Sequence, residues 1–186
     1  MGLVEVEKAT KNYEVKLEWE PFFLRPDAPE EGWDLPPHIK AKMNQPGNPL
    51  QARAAALGIT LKERERVPNS RRAHEATEFA RDNGKLDAFH ASILRRYWSE
   101  GADISKMEVL REAAVEAGLD ADAMQSAIEN KQYTQNVKDR VEEAYESGIH
   151  AVPSFVFASK YLVQGAQSAE TFQQVLEQLK APKRTA

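Results

Sequence analysis

The hydrophobic and polar positions of this 186-residue chain follow two different periods. Over most of the chain apolar residues recur every three or four positions, which predicts amphipathic helices packed on a core. Several of these stretches end at a glycine, the residue that favours the left-handed conformation after a helix. The sequence therefore predicts a central block of helices over residues 49–58, 71–84, 86–101, 105–118, 120–130 and 133–148.

A period of two occurs at both ends of the chain. Residues 13–19, YEVKLEW, alternate between apolar and charged side chains, which predicts a strand with one buried face. Near the other end FVF and YLV are joined by three residues within 155–163, the pattern of a β-hairpin. We also predict a short helix over residues 2–12 and a final helix over 168–180, capped by Ser168.

Prolines and helix-capping residues mark the boundaries between these predicted elements. Seven of the ten prolines lie within residues 21–49, and each disfavours helix at the residue before it, so we predict an extended, irregular crossing there. Asn69 or Ser70 is placed to cap the helix that follows, with contact to a substrate as the alternative role. Ser105 and Glu108 have the spacing of a capping box, which predicts that a helix begins near Ser105.

Composition and charge exclude several functions. Lys and Arg number 25 against 29 Asp and Glu, so no basic excess favours nucleic acid or an anionic membrane surface. No apolar stretch approaches the ~18 residues of a membrane span, and no secretory signal is recognisable, so we expect a cytoplasmic, soluble protein. The four histidines show no metal-ligand spacing, and we expect no metal and no other cofactor.

Four stretches of the chain resemble one protein family. They are EWEPFFLRPDAPEEG (18–32), VPNSRRAHEATEFA (67–80), YWSEGADISKMEVLREAAVEAGLD (97–120) and GIHAVPSFVFASKYLVQGAQSAETF (148–172). In this order they resemble the DsbA family, in particular its FrnE-like branch, which borders the 2-hydroxychromene-2-carboxylate isomerases and kappa-class glutathione transferases. The resemblance implies an α/β, thioredoxin-like fold with an inserted all-helical domain.

The same resemblance implies domain boundaries and a binding site. The thioredoxin-like domain would comprise residues 1–36 and 148–186, with residues 37–147 as the inserted helical domain. In such proteins a cis proline turns the chain into the hairpin, and the residue before it can pair with an extended peptide or a glutathione-like backbone. The implied substrate-binding residues are His150, Ala151, Val152, Pro153, Phe22 and Asn69.

Besides Asn69, two of these residues have alternative interpretations that the sequence leaves open. His150 would either tune a reactive thiolate or lie in a solvated turn. Phe22 would either border the site or serve as a core aromatic residue. The segment LKERERVPNSRR is mildly basic, which indicates a solvated face or, as a second interpretation, a site for acidic or glutathione-type ligands.

The chain differs from the family in its reactive residues. DsbA-like oxidoreductases carry Cys-x-x-Cys at the start of their first helix, where the helix dipole stabilises a thiolate. This sequence has no cysteine, so we expect it to be redox-inactive, and whether it is an enzyme stays open. Since Met1 resembles a position inside that helix, the reading frame either begins at an internal methionine or belongs to a gene that lost its active end and kept a binding scaffold.

These observations leave three functions open. The first is a DsbA-like thiol-disulfide oxidoreductase acting on a protein or peptide thiol or disulfide, in an N-terminally truncated form. The others are a glutathione-binding isomerase or transferase-like protein and a non-catalytic peptide-binding scaffold.

Since the family's central strand is missing, the strands at 14–20 and 154–158 would expose unpaired backbone groups. We therefore expect a swapped segment or a second copy, and hence a homo-oligomer, to fill this gap.

Overall fold

The apolar positions of the sequence form two compact units. The computed structural model describes residues 1–43, 45 and 47–184 of the chain. One unit comprises Met1–Leu24 and Glu143–Ala186, and the other comprises Arg25–Glu142. The main clusters of buried apolar side chains fall one in each unit. Burial of apolar area therefore stabilises each unit from within.

Helices predominate along the chain, with short strands near the middle and the end. The elements are α1 (Gly2–Thr10), β1 (Trp33–Asp34), α2 (Pro37–Met43), α3 (Pro49–Ala56), β2 (Arg66–Val67), α4 (Arg71–Asp82), α5 (Leu86–Arg95), α6 (Met107–Glu116), α7 (Ala121–Glu129), α8 (Thr134–Glu146), β3 (Ser154–Phe157), β4 (Tyr161–Gln164) and α9 (Ala169–Gln178). A single π-helical turn, Arg96–Glu100, directly follows α5. The predicted central block of helices is confirmed.

The core of the first unit lies between α1, α9 and the hairpin. Val6 and Ala9 of α1 and Phe172 of α9 are buried together. The rings of Phe155 and Phe157 pack on the ring of Phe172, with centroid distances of 4.6 and 5.9 Å. Because alternate residues of a strand face opposite sides, the two phenylalanines of β3 point to this core together.

The hairpin formed by β3 and β4 is antiparallel, as the sequence predicted. Phe155 lies opposite Val163, and Val156 lies opposite Leu162. The side chains of Val156 and Leu162, on the face away from Phe172, are 54% and 41% exposed. One face of this two-stranded sheet is therefore buried, and the other carries exposed apolar residues.

In the second unit, α4 to α7 pack around a helical core. Phe89, Leu110 and Met124 are fully buried there, and the small Ala76 and Ala113 are buried among them. Alanine at such positions lets neighbouring helices approach closely. The unit also contains a two-residue antiparallel ladder of β1 with β2, which the sequence analysis did not predict because two residues carry no periodicity.

His90 of α5 gives this helical unit a pH-dependent stability. Burial lowers the pKa of its imidazole from 6.5 to about 4, although Asp87 acts in the opposite direction. Between these pH values the unfolded chain binds a proton that the folded chain does not, so stability is complete above about pH 6.5 and falls towards about pH 4. We expect this protonation of His90 to lower the free energy of unfolding by about 3 kcal/mol at about pH 4, since each pKa unit corresponds to about 1.4 kcal/mol.

The test is urea unfolding of the wild-type protein and of His90→Gln at several pH values. Acidification also protonates carboxylates, so the difference between the two proteins isolates the histidine. We expect the wild type to lose more unfolding free energy than His90→Gln between neutral and acidic pH. Parallel losses in the two proteins would contradict the assignment.

The predicted strand over residues 13–19 is wrong. Tyr13 makes an isolated β-bridge with Lys183, and residues 14–20 belong to no strand. Alternation of side chains is compatible with a strand, but a strand forms only where a neighbouring chain pairs with its backbone. Among the described residues the sheets are the two-stranded pairs β1 with β2 and β3 with β4.

Two other local predictions are also corrected. The crossing over residues 21–49 is not irregular throughout, because it contains β1 and α2; Pro37 can begin α2, since a proline is tolerated in the first helical turn. Asn44 and Pro46, which the prediction included, lie outside the described residues. The capping box predicted at Ser105 does not form, because its backbone N–H and Oγ donate to Asp103 Oδ1, at 3.0 and 2.6 Å, and α6 begins close by at Met107.

No helix within the described ranges is both long enough and apolar enough to cross a membrane.

Candidate functional site

The end of α8 sets the position of the candidate site. Gly148 has a φ of +76°, the left-handed conformation that terminates the helix. Its N–H donates to the carbonyl of Tyr145 at 3.0 Å, and the Ile149 N–H donates to the carbonyl of Ala144 at 3.0 Å. These bonds satisfy the last carbonyls of α8, so the chain leaves the helix and enters the turn at residues 150–153.

The turn is exposed and leaves one residue with unused backbone groups. His150, Ala151, Val152 and Pro153 are all exposed, and the peptide bond between Val152 and Pro153 is cis. Ser154 Oγ donates to the carbonyl of Ala151 at 2.7 Å. No hydrogen bond involves the N–H or C=O of Val152 in the part of the chain that the structure describes. Val152 therefore presents a free donor and a free acceptor.

The first turn of α1 packs directly against this segment. A Cβ on Gly2 would lie 2.9 Å from Cζ of Phe155 and 3.1 Å from Cγ of Pro153. Only a glycine permits so close an approach, because any side chain would displace a packed ring. The N-terminus of α1, which carries partial positive charge, is thereby held beside the proline of the turn.

A row of aromatic rings joins two of the predicted site residues. Tyr145 packs on Phe22 with a centroid distance of 5.0 Å, and on His150 with a distance of 6.2 Å. Its hydroxyl donates to the carbonyl of Phe23. The structure thus brings both Phe22 and His150 into contact with the ring of Tyr145. The sequence analysis did not include Tyr145 in the site, although its place just before Gly148 was the available signal.

Asn69 belongs to the other unit, where both of its polar side-chain atoms have partners. Nδ2 donates to the carbonyls of Ala28 and Pro29 at 2.9 and 3.1 Å, and Oδ1 accepts from the Arg71 N–H at 2.9 Å. Asn69 is 6% exposed. Ser70 occupies the N-cap position of α4 but makes no side-chain cap bond. The Asn69 side chain therefore ties the proline-rich crossing to the start of α4.

The chemistry available at the turn is that of backbone groups and aromatic rings. The sequence contains no cysteine. No group of three or more His, Asp or Glu side chains within the described ranges could hold a metal ion. What the turn does offer is the amide and carbonyl of Val152, its half-exposed side chain and the imidazole of His150, which packs on the ring of Tyr145.

Comparison with known proteins identifies the class to which this arrangement belongs. Residues 1–177 match the family described as DSBA-like thioredoxin domain. A crystal structure of a probable DsbA oxidoreductase from Streptomyces coelicolor is similar, with a TM-score of 0.84 and 27% identity over 100% of this chain and 87% of that chain. A putative protein disulfide isomerase from Nitrosomonas europaea, at 15% identity, shares the fold, with a TM-score of 0.71 over 96% of this chain and 90% of that chain.

The chain therefore belongs to the DSBA-like thioredoxin domain family. The uncharacterized protein YwbO of Bacillus subtilis (strain 168) is 27% identical over 179 residues, which are 95% of this chain and 88% of that protein. The predicted thioredoxin-like, DsbA-type fold and the DsbA-like oxidoreductase family are confirmed. Within that family these 186 residues carry no thiol, so they form no mixed disulfide by themselves.

Proposed function

We propose that this DsbA-like chain binds an extended polypeptide segment, of the kind that carries a thiol or disulfide, through the backbone of Val152. The observation that carries the proposal is the exposed turn in which the N–H and C=O of Val152 have no partner among the described residues. A free donor and acceptor on one residue at the start of a strand match the backbone of an extended peptide.

The neighbouring side chains support the same function. Val152 is 48% exposed and supplies an apolar contact next to the backbone groups. The rings of Tyr145 and His150 lie together at the start of the turn and offer flat surfaces to a peptide side chain. Phe22 also packs on Tyr145 and helps to hold this tyrosine in place. We assign Asn69 to positioning its own loop, because its amide is fully engaged there.

We extend the proposal to the domain organisation, the family branch and the location of the protein. We propose that residues 37–147 form the inserted helical domain and that the protein belongs to the FrnE-like branch, on the strength of the motifs at 18–32 and 148–172. We also propose a cytoplasmic location, which the absence of cysteine supports, since structural disulfides are typical of oxidising compartments.

The proposal is tested by fluorescence anisotropy with a labelled, unstructured peptide that contains one S-methylated cysteine, which allows binding but no thiol chemistry. Because recognition uses mainly the backbone, we expect Val152→Ala to lose only part of an apolar contact and to weaken binding less than Val152→Pro. Val152→Pro removes the N–H donor and should weaken binding by about fivefold or more, since a net hydrogen bond contributes about 1 kcal/mol.

Unlabelled glutathione is the competitor that separates the two ligand classes. Displacement of the peptide only by other extended peptides supports the proposal. Displacement of the peptide by glutathione at a comparable concentration would show that the ligand of this site is glutathione and not an extended peptide. Equal binding by the wild type and Val152→Pro, or no binding at all, would overturn the assignment of Val152.

A further inference from the structure

The last turn of α8 lacks the charges that stabilise the end of a helix. The C-terminal end of a helix carries partial negative charge, so lysine and arginine stabilise it and acidic side chains do not. The last turn of α8 contains Glu143 and Glu146 and no basic residue. Neither glutamate belongs to an ion pair with another described residue. Electrostatics therefore disfavours the turn of helix that leads to Val152, and another interaction must hold it.

The side chain of Tyr145 fastens this helix end to a distant segment of the same unit. Its hydroxyl donates to the carbonyl of Phe23, which lies 122 positions away in sequence, and its ring packs on Phe22 with a centroid distance of 5.0 Å. Phe23 is only 8% exposed, so the carbonyl belongs to a residue that is itself packed in the protein. The end of α8 is therefore held by tertiary contacts of one side chain.

Tyr145 is also connected to the turn that follows α8. Its carbonyl accepts a hydrogen bond from the Gly148 N–H at 3.0 Å. Its ring contacts the ring of His150 with a centroid distance of 6.2 Å, two residues before Val152. His150 makes no hydrogen bond or ion pair through its side chain within the described ranges. The contact with Tyr145 is thus the side-chain interaction that holds the start of the turn.

We propose that Tyr145 is a positioning residue of the Val152 site. It acts through the end of α8 and through His150, and it keeps the turn in the conformation that presents the N–H and C=O of Val152. A site that is ordered before binding spares the ligand the cost of ordering it, so a looser turn binds more weakly. This inference rests on the proposed binding of an extended peptide at Val152.

The hydroxyl of Tyr145 is tested by Tyr145→Phe, which keeps both ring contacts and removes only the donor to Phe23. The measurement is anisotropy with the labelled, S-methylated peptide. We expect the dissociation constant to rise by about three- to tenfold, the effect of losing one net hydrogen bond. Tyr145→Leu also removes the ring and should weaken binding further. Unchanged binding by both variants, with folding verified by circular dichroism, would overturn the proposal.

Tyr133→Phe is the matched control for a general loss of stability. The Tyr133 hydroxyl donates to Asp82 Oδ2 at 2.8 Å, and both residues belong to the other unit. We expect Tyr133→Phe to lower the free energy of unfolding in urea and to bind the peptide like the wild type. Equal weakening of peptide binding by Tyr133→Phe and Tyr145→Phe would show that binding only follows stability, which would overturn the positioning role.

A double variant shows whether Tyr145 acts through Val152. If Tyr145 only places the N–H of Val152, its hydroxyl has no effect on binding once that N–H is absent. We therefore expect Tyr145→Phe to weaken binding in the wild-type background and to leave the dissociation constant of Val152→Pro unchanged. The same fold-change in both backgrounds would show that Tyr145 acts independently of Val152, and would overturn the proposal.

The mobility of the turn is measured in the free protein, so this test does not need a ligand. In ¹⁵N relaxation we expect Tyr145→Phe to have lower backbone order parameters than the wild type at Ala151 and Val152, and Tyr133→Phe to have unchanged ones. Unchanged order parameters in Tyr145→Phe would overturn the positioning role. Absence of peptide binding by the wild type would instead overturn the proposed function, so the two failures can be told apart.

Discussion

Replacing Phe172 by alanine is expected to cost the first unit about 3–5 kcal/mol of unfolding free energy. Phe172 is fully buried in one cluster with Val6 and Ala9 of α1, and the rings of Phe155 and Phe157 of the hairpin pack on its ring. Its removal leaves a cavity that these elements cannot fill without moving. Because a domain's whole stability is about 5–15 kcal/mol, the loss is large.

The measurement is chemical denaturation combined with hydrogen exchange at the amides of β3 and β4. Leu24→Ala is the matched control, since Leu24 belongs to the same unit and is 63% exposed. We expect that control to change stability by less than about 0.5 kcal/mol. Retained protection of the β3 and β4 amides in Phe172→Ala would show that the hairpin does not depend on this ring.

Replacing Glu78 by alanine is expected to destabilise the second unit by about 3 kcal/mol. The carboxylate is almost completely buried, accepts from Arg81 Nε at 3.0 Å and Nη2 at 3.2 Å, and lies 3.6 Å from Arg140 Nε. Glu78→Ala removes a buried carboxylate from two arginines whose side chains are only 22% and 29% exposed, which costs more than the loss of a fully exposed pair.

Glu112→Ala is the control for this prediction. Glu112 makes an ion pair with Arg96 at 2.9 Å, but its side chain is 65% exposed, so we expect a change of less than about 1 kcal/mol. Both variants are measured by urea denaturation under the same conditions. Similar losses of unfolding free energy in the two variants, relative to the wild type, would mean that burial does not decide the strength of these ion pairs.

The helices of this protein could be predicted from the sequence because their signals are local. Apolar residues at helical spacing, as in α5 with Phe89 and Ile93, mark the face that becomes buried. The glycines that were predicted to end helices, such as Gly84 and Gly118, adopt the positive φ that this role requires. Both signals act within a few residues, so no knowledge of the tertiary structure is needed.

The strands and the site depend on contacts between distant residues. Residues 13–19 have the alternation of a strand, yet alternation says nothing about whether a partner strand lies alongside. Tyr145 packs on Phe22 across more than a hundred positions of sequence, and no local pattern indicates this contact. The turn at residues 150–153 was predicted from a family resemblance, because composition and periodicity alone do not distinguish it from other proline turns.

Asn69 shows how a good candidate for substrate binding can have a structural role. A polar residue before a helix is equally suited to capping and to binding, and the sequence left both roles open. Its three hydrogen bonds now connect the carbonyls of Ala28 and Pro29 with the Arg71 amide. These partners lie up to 41 positions away in sequence, which is why the sequence could not choose between the roles.

The central claim is that the backbone of Val152 receives an extended peptide, and amide chemical shifts test it most directly. A ¹⁵N-labelled chain is titrated with the S-methylated peptide and its amide resonances are followed. We predict that the largest changes in amide chemical shift occur at Ala151, Val152 and Ser154. The amide proton of Val152 should shift downfield, because its N–H acquires a hydrogen-bond acceptor. Saturable binding that leaves these amide resonances unchanged, and instead shifts the amide resonances of residues in α6 or α7, would contradict the claim.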